Sequence, residues 1–360
     1  MTSNPEALIS ADSHVMEPPD LWEKNLPPSF RDRAPRYAKR AADLQAHQGG
    51  TNPALRAREM AMDGVCGEVL YPSLAMDQFS LKDAALQEAC LRVYNDWLID
   101  YCSHAPDRLF GIGLIAAYDI DHAIKEAQRC KEAGMRGIMV WQFPPDELSF
   151  ATSHYDRLWA AAQNLQLPVS LHILTGQNNV YGDTGLRGVP PGKSGNGINA
   201  SEGTKFAVHL TSAVHMKMFY GANAIMQIMT SGVFDRFPQL KMVIVENEVS
   251  WLPFIISQWD KYYKRGKFNP GIAMLPSEYF KRQIYATFFD DPPVRWILNG
   301  WGTDNCMWSN DFPHPNSTWP KSRDVIARDL GSLPNDVLNK LLRDNVTKLF
   351  NLPRVAPFTE

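Results

Sequence analysis

No disulfide framework can be read from this chain. Its five cysteines, Cys66, Cys90, Cys102, Cys130 and Cys306, are odd in number, widely spaced and without a C-x-x-C pair, which suits reduced thiols packed as small hydrophobes. A basic tract is missing too. Lys plus Arg number 36 against 39 Asp plus Glu, for a formal net charge of -3, and no aromatic strip is studded with cations. That argues against nucleic acid and leaves a small molecule as the expected partner. No apolar run approaches the roughly eighteen residues of a membrane span, and the N-terminal residues lack the basic-then-apolar order of a secretory signal. A soluble, cytoplasmic protein is expected. Glycine-rich phosphate loops and internal repeats are also absent, which counts against a doubly wound nucleotide-binding sheet.

What the 360 residues do contain is an alternation of strand-length apolar runs and amphipathic stretches. The first run, Ala7 to Ile9, gives way to S-A-D-S-H-V-M-E at 10–17. Later runs cover Val65 to Tyr71, Phe110 to Ala116, Gly137 to Trp141, Val169 to Ile173, Lys241 to Glu246, Gln283 to Phe289 and Cys306 to Ser309. Helices are expected from Ala54 to a stop at Gly64, from Leu81 to His104, from about Asp119 to Ala133 and from Tyr155 to Leu165. Others should run from about Lys205 to Gly232 and from about Trp251 to Lys264, with Val337 to Phe350 closing the ring. Eight alternations predict an α/β fold, a (β/α)8 barrel forming one domain over residues 1–360. Two excursions interrupt it. One is an Arg-rich, Pro-punctuated rim segment at 18–53. The other, at 175–203 after the fifth strand, is rich in Gly, Asn, Pro and Ser and has the length of a lid or binding loop.

In such a barrel the chemistry collects where strands end, on the C-terminal face. Asp12 and His14 stand one residue apart at the end of the first strand, so an extended backbone points both side chains to one face. Buried together, they need a compensating positive charge. The alternative is that Asp12 caps a turn and His14 is a half-exposed loop residue. His172 interrupts the end of the fifth strand, Glu246 ends the sixth and Asp311 the eighth. Asp12, His14, His172 and Asp311 would complete a set of two carboxylates and two imidazoles with room for water, the open arrangement of a catalytic metal ion. His209 and His215 are six apart on a helix and do not share a face. His47, His104, His122 and His154 fall in loops or at helix ends.

Several stretches resemble the amidohydrolase-related enzymes that include the aminocarboxymuconate-semialdehyde and γ-resorcylate decarboxylases. They are D-S-H-V-M-E-P at 12–18, L-P-V-S-L-H at 167–172, S-G-V-F-D-R-F-P at 231–238, E-N-E-V-S-W-L-P at 246–253, S-N-D-F-P-H at 309–314 and D-N-V-T-K-L-F at 344–350. The resemblance spans nearly the whole chain. It implies a distorted TIM barrel, a homodimer, and metal ligation by His14, His172 and Asp311, with Asp12 where many members carry His or Glu. One divalent ion is expected, Zn2+ first and Mn2+ as the alternative. At the sixth strand end, where related decarboxylases often hold a His, this chain has Glu246 followed by Asn247. His314, in the D-F-P-H corner, is expected to hydrogen-bond near the eighth strand rather than to ligate.

The reaction expected from this set is removal of CO2 from an aromatic or conjugated carboxylic acid, with Asp311 or Glu246 delivering the proton. Arg187, in the insertion, is a candidate clamp for the substrate carboxylate. The closest rival is hydrolysis of an amide, lactone or activated C–C bond by metal-bound hydroxide, which the same ligands could support. A barrel that binds without turnover is more distant, because the ligand set is intact.

Overall fold

Each strand expected from the sequence is present, and each is buried along its length. The computed structural model describes residues 7–37, 47–176, 214, 216–266, 271–298 and 301–358. The strands are β1 (Leu8–His14), β2 (Val65–Tyr71), β3 (Leu109–Leu114), β4 (Gly137–Val140), β5 (Val169–His172), β6 (Met242–Val245), β7 (Ile284–Phe288) and β8 (Cys306–Trp308). All neighbours run parallel, in the order β1-β2-β3-β4-β5-β6-β7-β8. Helices covering the outside of a parallel sheet leave neither face to water, which is why these strands read as continuous apolar runs rather than alternating ones.

The turns between layers follow the local chemistry of the chain. The helix Pro53–Asp63 opens with Asn52, whose side chain accepts the N–H groups of Ala54 and Leu55 at 3.0 and 3.3 Å, and has proline in its first turn. It ends at Gly64, in the left-handed region at φ 72° where a Cβ would be strained, and β2 begins at the next residue. Asp119 caps the helix Ile120–Glu132 through the N–H of His122 at 3.0 Å. The long helix Ala84–Ser103 is capped in the same way by Asp83 on the N–H of Leu86.

The seam of the barrel has direct consequences for the site. β1 gains a residue against β2 between Ser10 and Ser13, an irregularity that spans Ala11 and Asp12. Beyond β8, the Asp311 N–H donates to the Asp12 carbonyl at 3.1 Å and the His14 N–H donates to the Phe312 carbonyl at 2.6 Å. These bonds tie the ends of the first and last strands together. Across the interior, the hydroxyls of Tyr71 on β2 and Ser170 on β5 meet at 2.9 Å.

Several elements differ from expectation. The rim segment does not simply ride over the barrel: Leu21, Trp22 and Leu26 are buried, and the Trp22 indole donates to the Cys90 carbonyl at 3.0 Å. The closing tail keeps its buried stripe of Leu338, Leu341, Leu342, Val346 and Leu349, but a π-turn, Lys340–Asp344, divides it. Of the helix expected from Lys205, the described part is a π-turn, Met216–Tyr220, followed by the helix Gly221–Thr230. The helices Pro276–Gln283, Val294–Ile297 and Ser322–Leu330 were not expected. Arg187, His209, His215 and the insertion beyond Gly176 lie outside the described residues. Among the described residues the five cysteines are free thiols, and no helix is long and apolar enough to cross a membrane.

Candidate metal centre

Asp12, His14, His172 and Asp311 come from three different strand ends, and all four side chains are fully buried. The His14 Nε2 lies 3.4 Å from Asp12 Oδ1 and 3.4 Å from Asp311 Oδ1, while His172 Nε2 lies 3.6 Å from Asp12 Oδ1. These separations exceed a good hydrogen bond. They suit donors sharing one ion, because ligands about 2.1 Å from a common centre stand about 3.0 to 3.4 Å apart in octahedral or tetrahedral arrangement.

The second ring nitrogen of each histidine is committed elsewhere. His14 Nδ1 is 2.6 Å from the Pro72 carbonyl and His172 Nδ1 is 3.0 Å from the Ile173 carbonyl. A carbonyl can only accept, so Nδ1 carries the proton in both rings and Nε2 presents its lone pair to the centre. Both Asp12 oxygens, both Nε2 atoms and Asp311 Oδ2 are buried without a hydrogen-bond partner. Orphaned buried acceptors of this kind are costly, and a divalent cation is the partner that carboxylate oxygens and imidazole lone pairs of this kind lack. The donor set therefore fits a metal ion.

Glu246 and His314 approach the same point from other directions. Ligand-type atoms of His14, Glu246, Asp311 and His314 lie within 4.8 Å of one another, as do those of Asp12, His14 and His172. Glu246 Oε2 is 3.9 Å from His172 Nε2. His314 Nδ1 meets Asp311 Oδ1 at 3.0 Å, its Nε2 meets the Ser73 hydroxyl at 3.2 Å, and its ring centroid is 4.0 Å from that of His14. It thus hydrogen-bonds beside the eighth strand, with both ring nitrogens engaged.

Backbone strain gathers here. Leu174, Glu246, Glu248 and Asp311 all have left-handed φ, at 67°, 62°, 57° and 56°, just past β5, β6 and β8. Such non-glycine residues cost about 1 to 3 kcal/mol each and persist where the surroundings enforce them. Thr287 Oγ1 accepts the Glu246 N–H at 2.8 Å and helps hold that conformation.

The electrostatics follow from burial and crowding. Burial alone would raise Asp12, but the imidazoles of His14 and His172 outweigh it and hold the carboxyl well below the usual range. Burial, opposed by His14 and reinforced by the charge of Asp12, pushes Asp311 up to about 7. Burial and then the charge of Asp311 push Glu246 up to about 8. At His172 burial favours the neutral ring, yet Asp12 prevails and carries it up to about 9. A coordinated cation inverts this balance and favours every deprotonated donor.

Beneath the cluster is a residue the sequence reading passed over. Arg56 is fully buried, and its Nε donates to Glu68 Oε2 at 2.6 Å and its Nη1 to the His14 carbonyl at 2.6 Å. Its guanidinium stacks over the Phe312 ring at 4.6 Å. In sequence it looks like any arginine on an amphipathic helix. Glu17 is another, its carboxylate taking the N–H groups of Ser73, Leu74 and Ala75, which anchors the chain just past β2.

The family model described as Amidohydrolase matches residues 14–352. The chain belongs to the amidohydrolase family. It is 25% identical over 254 residues to γ-resorcylate decarboxylase of Polaromonas sp. JS666, covering 66% of this chain and 70% of that protein. It is 23% identical over 273 residues to γ-resorcylate decarboxylase of Rhizobium sp. MTP-10005, covering 72% of this chain and 75% of that protein. An amidohydrolase of Mycobacterium avium subsp. paratuberculosis superposes with a TM-score of 0.75 at 17% identity, over 97% of this chain and 100% of the other. The dihydroxybenzoic acid decarboxylase of Polaromonas sp. JS666, solved with bound manganese and the inhibitor 2-nitroresorcinol, superposes with a TM-score of 0.69 at 20% identity, over 97% and 98%. These structural likenesses carry the amidohydrolase barrel as a fold.

Proposed function

We propose that this amidohydrolase is a metal-dependent carboxy-lyase that removes CO2 non-oxidatively from an aromatic or conjugated carboxylic acid. The reading is carried by five buried, unpartnered ligand atoms on Asp12, His14, His172 and Asp311 at the mouth of the barrel. Relatives that are γ-resorcylate decarboxylases support the reaction class. The four residues would hold one divalent ion. Two carboxylates and two imidazoles serve Zn2+ and Mn2+ alike, and the manganese in the Polaromonas decarboxylase favours Mn2+. When bound, the ion supplies Lewis-acid charge that stabilises the electron pair left behind as the C–C bond breaks.

The chain's own residues divide the remaining work. Asp311 Oδ1 is engaged with His14 and His314, while its Oδ2 is buried without a hydrogen-bond partner. Glu246, whose Oε2 stands 3.9 Å from His172 Nε2, retains slight access from the mouth, which makes it the better proton donor. Its carboxyl proton goes to the ring carbon, the electron pair of the breaking bond forms the new C–H bond, and CO2 leaves as a neutral molecule. A proton from water then restores the acid.

Product masses test the proposal. Protein reconstituted with Mn2+ or Zn2+ is incubated with 2,6-dihydroxybenzoate, other hydroxybenzoates, β-keto acids and aryl lactones or amides. A product lighter than its acid by one CO2 is expected. A product heavier by one water, or two fragments that together contain it, would overturn the lyase reading in favour of hydrolysis.

A further inference from the structure

Lys217 places a cation where reading the strand ends alone finds none. It stands on the π-turn Met216–Tyr220, immediately before the helix Gly221–Thr230, and single π-turns recur at functional sites. Buried Asn247, just past β6, locks that turn. Its Nδ2 donates to the Lys217 carbonyl at 2.6 Å, and its Oδ1 accepts from Gln142 Nε2 at 3.2 Å. Gly221 allows this approach, since a Cβ there would come within 2.8 Å of Asn247 Nδ2. The turn is thereby fastened to the ends of β4 and β6.

The ammonium is held as firmly as the backbone. Lys217 Nζ meets Glu248 Oε1 at 2.8 Å and lies 4.8 Å from the centroid of the Phe289 ring, just past β7. Glu248 is itself fixed, for its other oxygen takes the Phe289 N–H at 3.1 Å and its backbone is left-handed. Among the described residues Glu248 is the single hydrogen-bond acceptor on this ammonium, so two of its three N–H donors take no acceptor among them. The side chain is 30% exposed while that of its partner is 12% exposed, so Lys217 is the more accessible member of the pair. It is also close enough to the centre for the charges of Glu246 and Asp311 to act on it.

A charge count gives this cation a task. Asp12 and Asp311 together cancel a divalent ion, so the metal centre offers no net positive charge to draw in an anionic substrate. We propose that Lys217 is the specificity-determining residue that binds the substrate's carboxylate, donating its remaining N–H groups beside the metal centre. The inference rests on the carboxylic-acid substrate proposed above. Glu248 and Phe289 hold the ammonium in place before the substrate arrives, which saves the entropy of ordering a lysine.

Calorimetric titration of metal-reconstituted wild type, Lys217→Met and Lys217→Arg tests it, with 2,6-dihydroxybenzoate and neutral resorcinol as probes and with metal content and near-ultraviolet circular dichroism as controls. Lys217→Met should weaken dihydroxybenzoate about tenfold or more, the loss of a charge-assisted hydrogen bond. Resorcinol binding should stay within about twofold and metal content should be unchanged, while Lys217→Arg retains most of the affinity for the acid. Equal binding of the acid by wild type and Lys217→Met overturns the inference alone. Equal weakening of both probes, or loss of metal, assigns Lys217 to structure and also overturns it. If the wild type binds none of the carboxylic acids in the product assay, the lyase reading fails and the inference goes with it.

Discussion

Replacing Glu246 with glutamine is expected to lower kcat about a hundredfold or more while metal content stays at the wild-type level, the scale of losing a general acid. The change keeps the volume and hydrogen-bonding shape of the side chain and removes only its ability to give up a proton as an acid. Geometry motivates the assignment. Glu246 directly follows β6, with its oxygen 3.9 Å from His172 Nε2, and its left-handed backbone is braced by Thr287. Strained non-glycine residues gather at functional sites, and that is the ground for the assignment. A quite different outcome follows if the carboxylate only orients His172 or a water. Activity within a few-fold of wild type would then send the proton through Asp311 or solvent and remove Glu246 from the mechanism.

Arg56→Met should destabilise the protein by about 3 to 5 kcal/mol, because it leaves the Glu68 carboxylate buried without its partner. Glu68 is fully buried, its second oxygen already has no hydrogen-bond partner, and burial raises its carboxyl even with Arg56 alongside. Removing both charges in Arg56→Met with Glu68→Leu should recover most of that loss, as paired apolar replacements of buried ion pairs often do. Metal affinity should not recover. Arg56 also donates to the His14 carbonyl at 2.6 Å and, more weakly, to the Phe312 carbonyl at 3.4 Å, so it staples the seam that carries His14 and Asp311. Urea unfolding midpoints and competitive metal titrations separate the two effects. A single variant within about 1 kcal/mol of wild type, or a double variant with wild-type metal affinity, would contradict the account.

The strand ends were legible because of what surrounds them. In a strand covered on both faces an ionisable residue stands out against Val, Ile, Leu and Met, as His172 does after V-S-L and Glu246 after M-V-I-V. Asp12 and His14 were equally visible, although the irregularity between Ser10 and Ser13 that surrounds Asp12 was not, since it is a property of pairing with β2. Arg56 and Lys217 left no signal of their own. Each owes its meaning to partners distant in sequence: Arg56 to Phe312, Lys217 to Glu248 and Phe289. The helix Pro276–Gln283 escaped for a simpler reason. Its eight residues are too few for an apolar period to emerge, and its start is set by Glu278 reaching back to the Leu275 N–H at 2.8 Å. Left-handed Glu246, Glu248 and Asp311 carry no glycine to announce the conformation.

Everything in the proposed chemistry depends on Asp12, His14, His172 and Asp311 sharing one ion, and elemental analysis tests this most directly. Wild type and His172→Ala are prepared side by side without chelator, checked for native circular dichroism, and measured by mass spectrometry of the metals. About one divalent ion per chain is expected in the wild type, and a value near zero in the variant, since three remaining protein donors with a cavity in place of the fourth hold a metal poorly. A wild type that neither carries nor takes up a divalent ion, or a His172→Ala protein that retains it in full, would contradict the account.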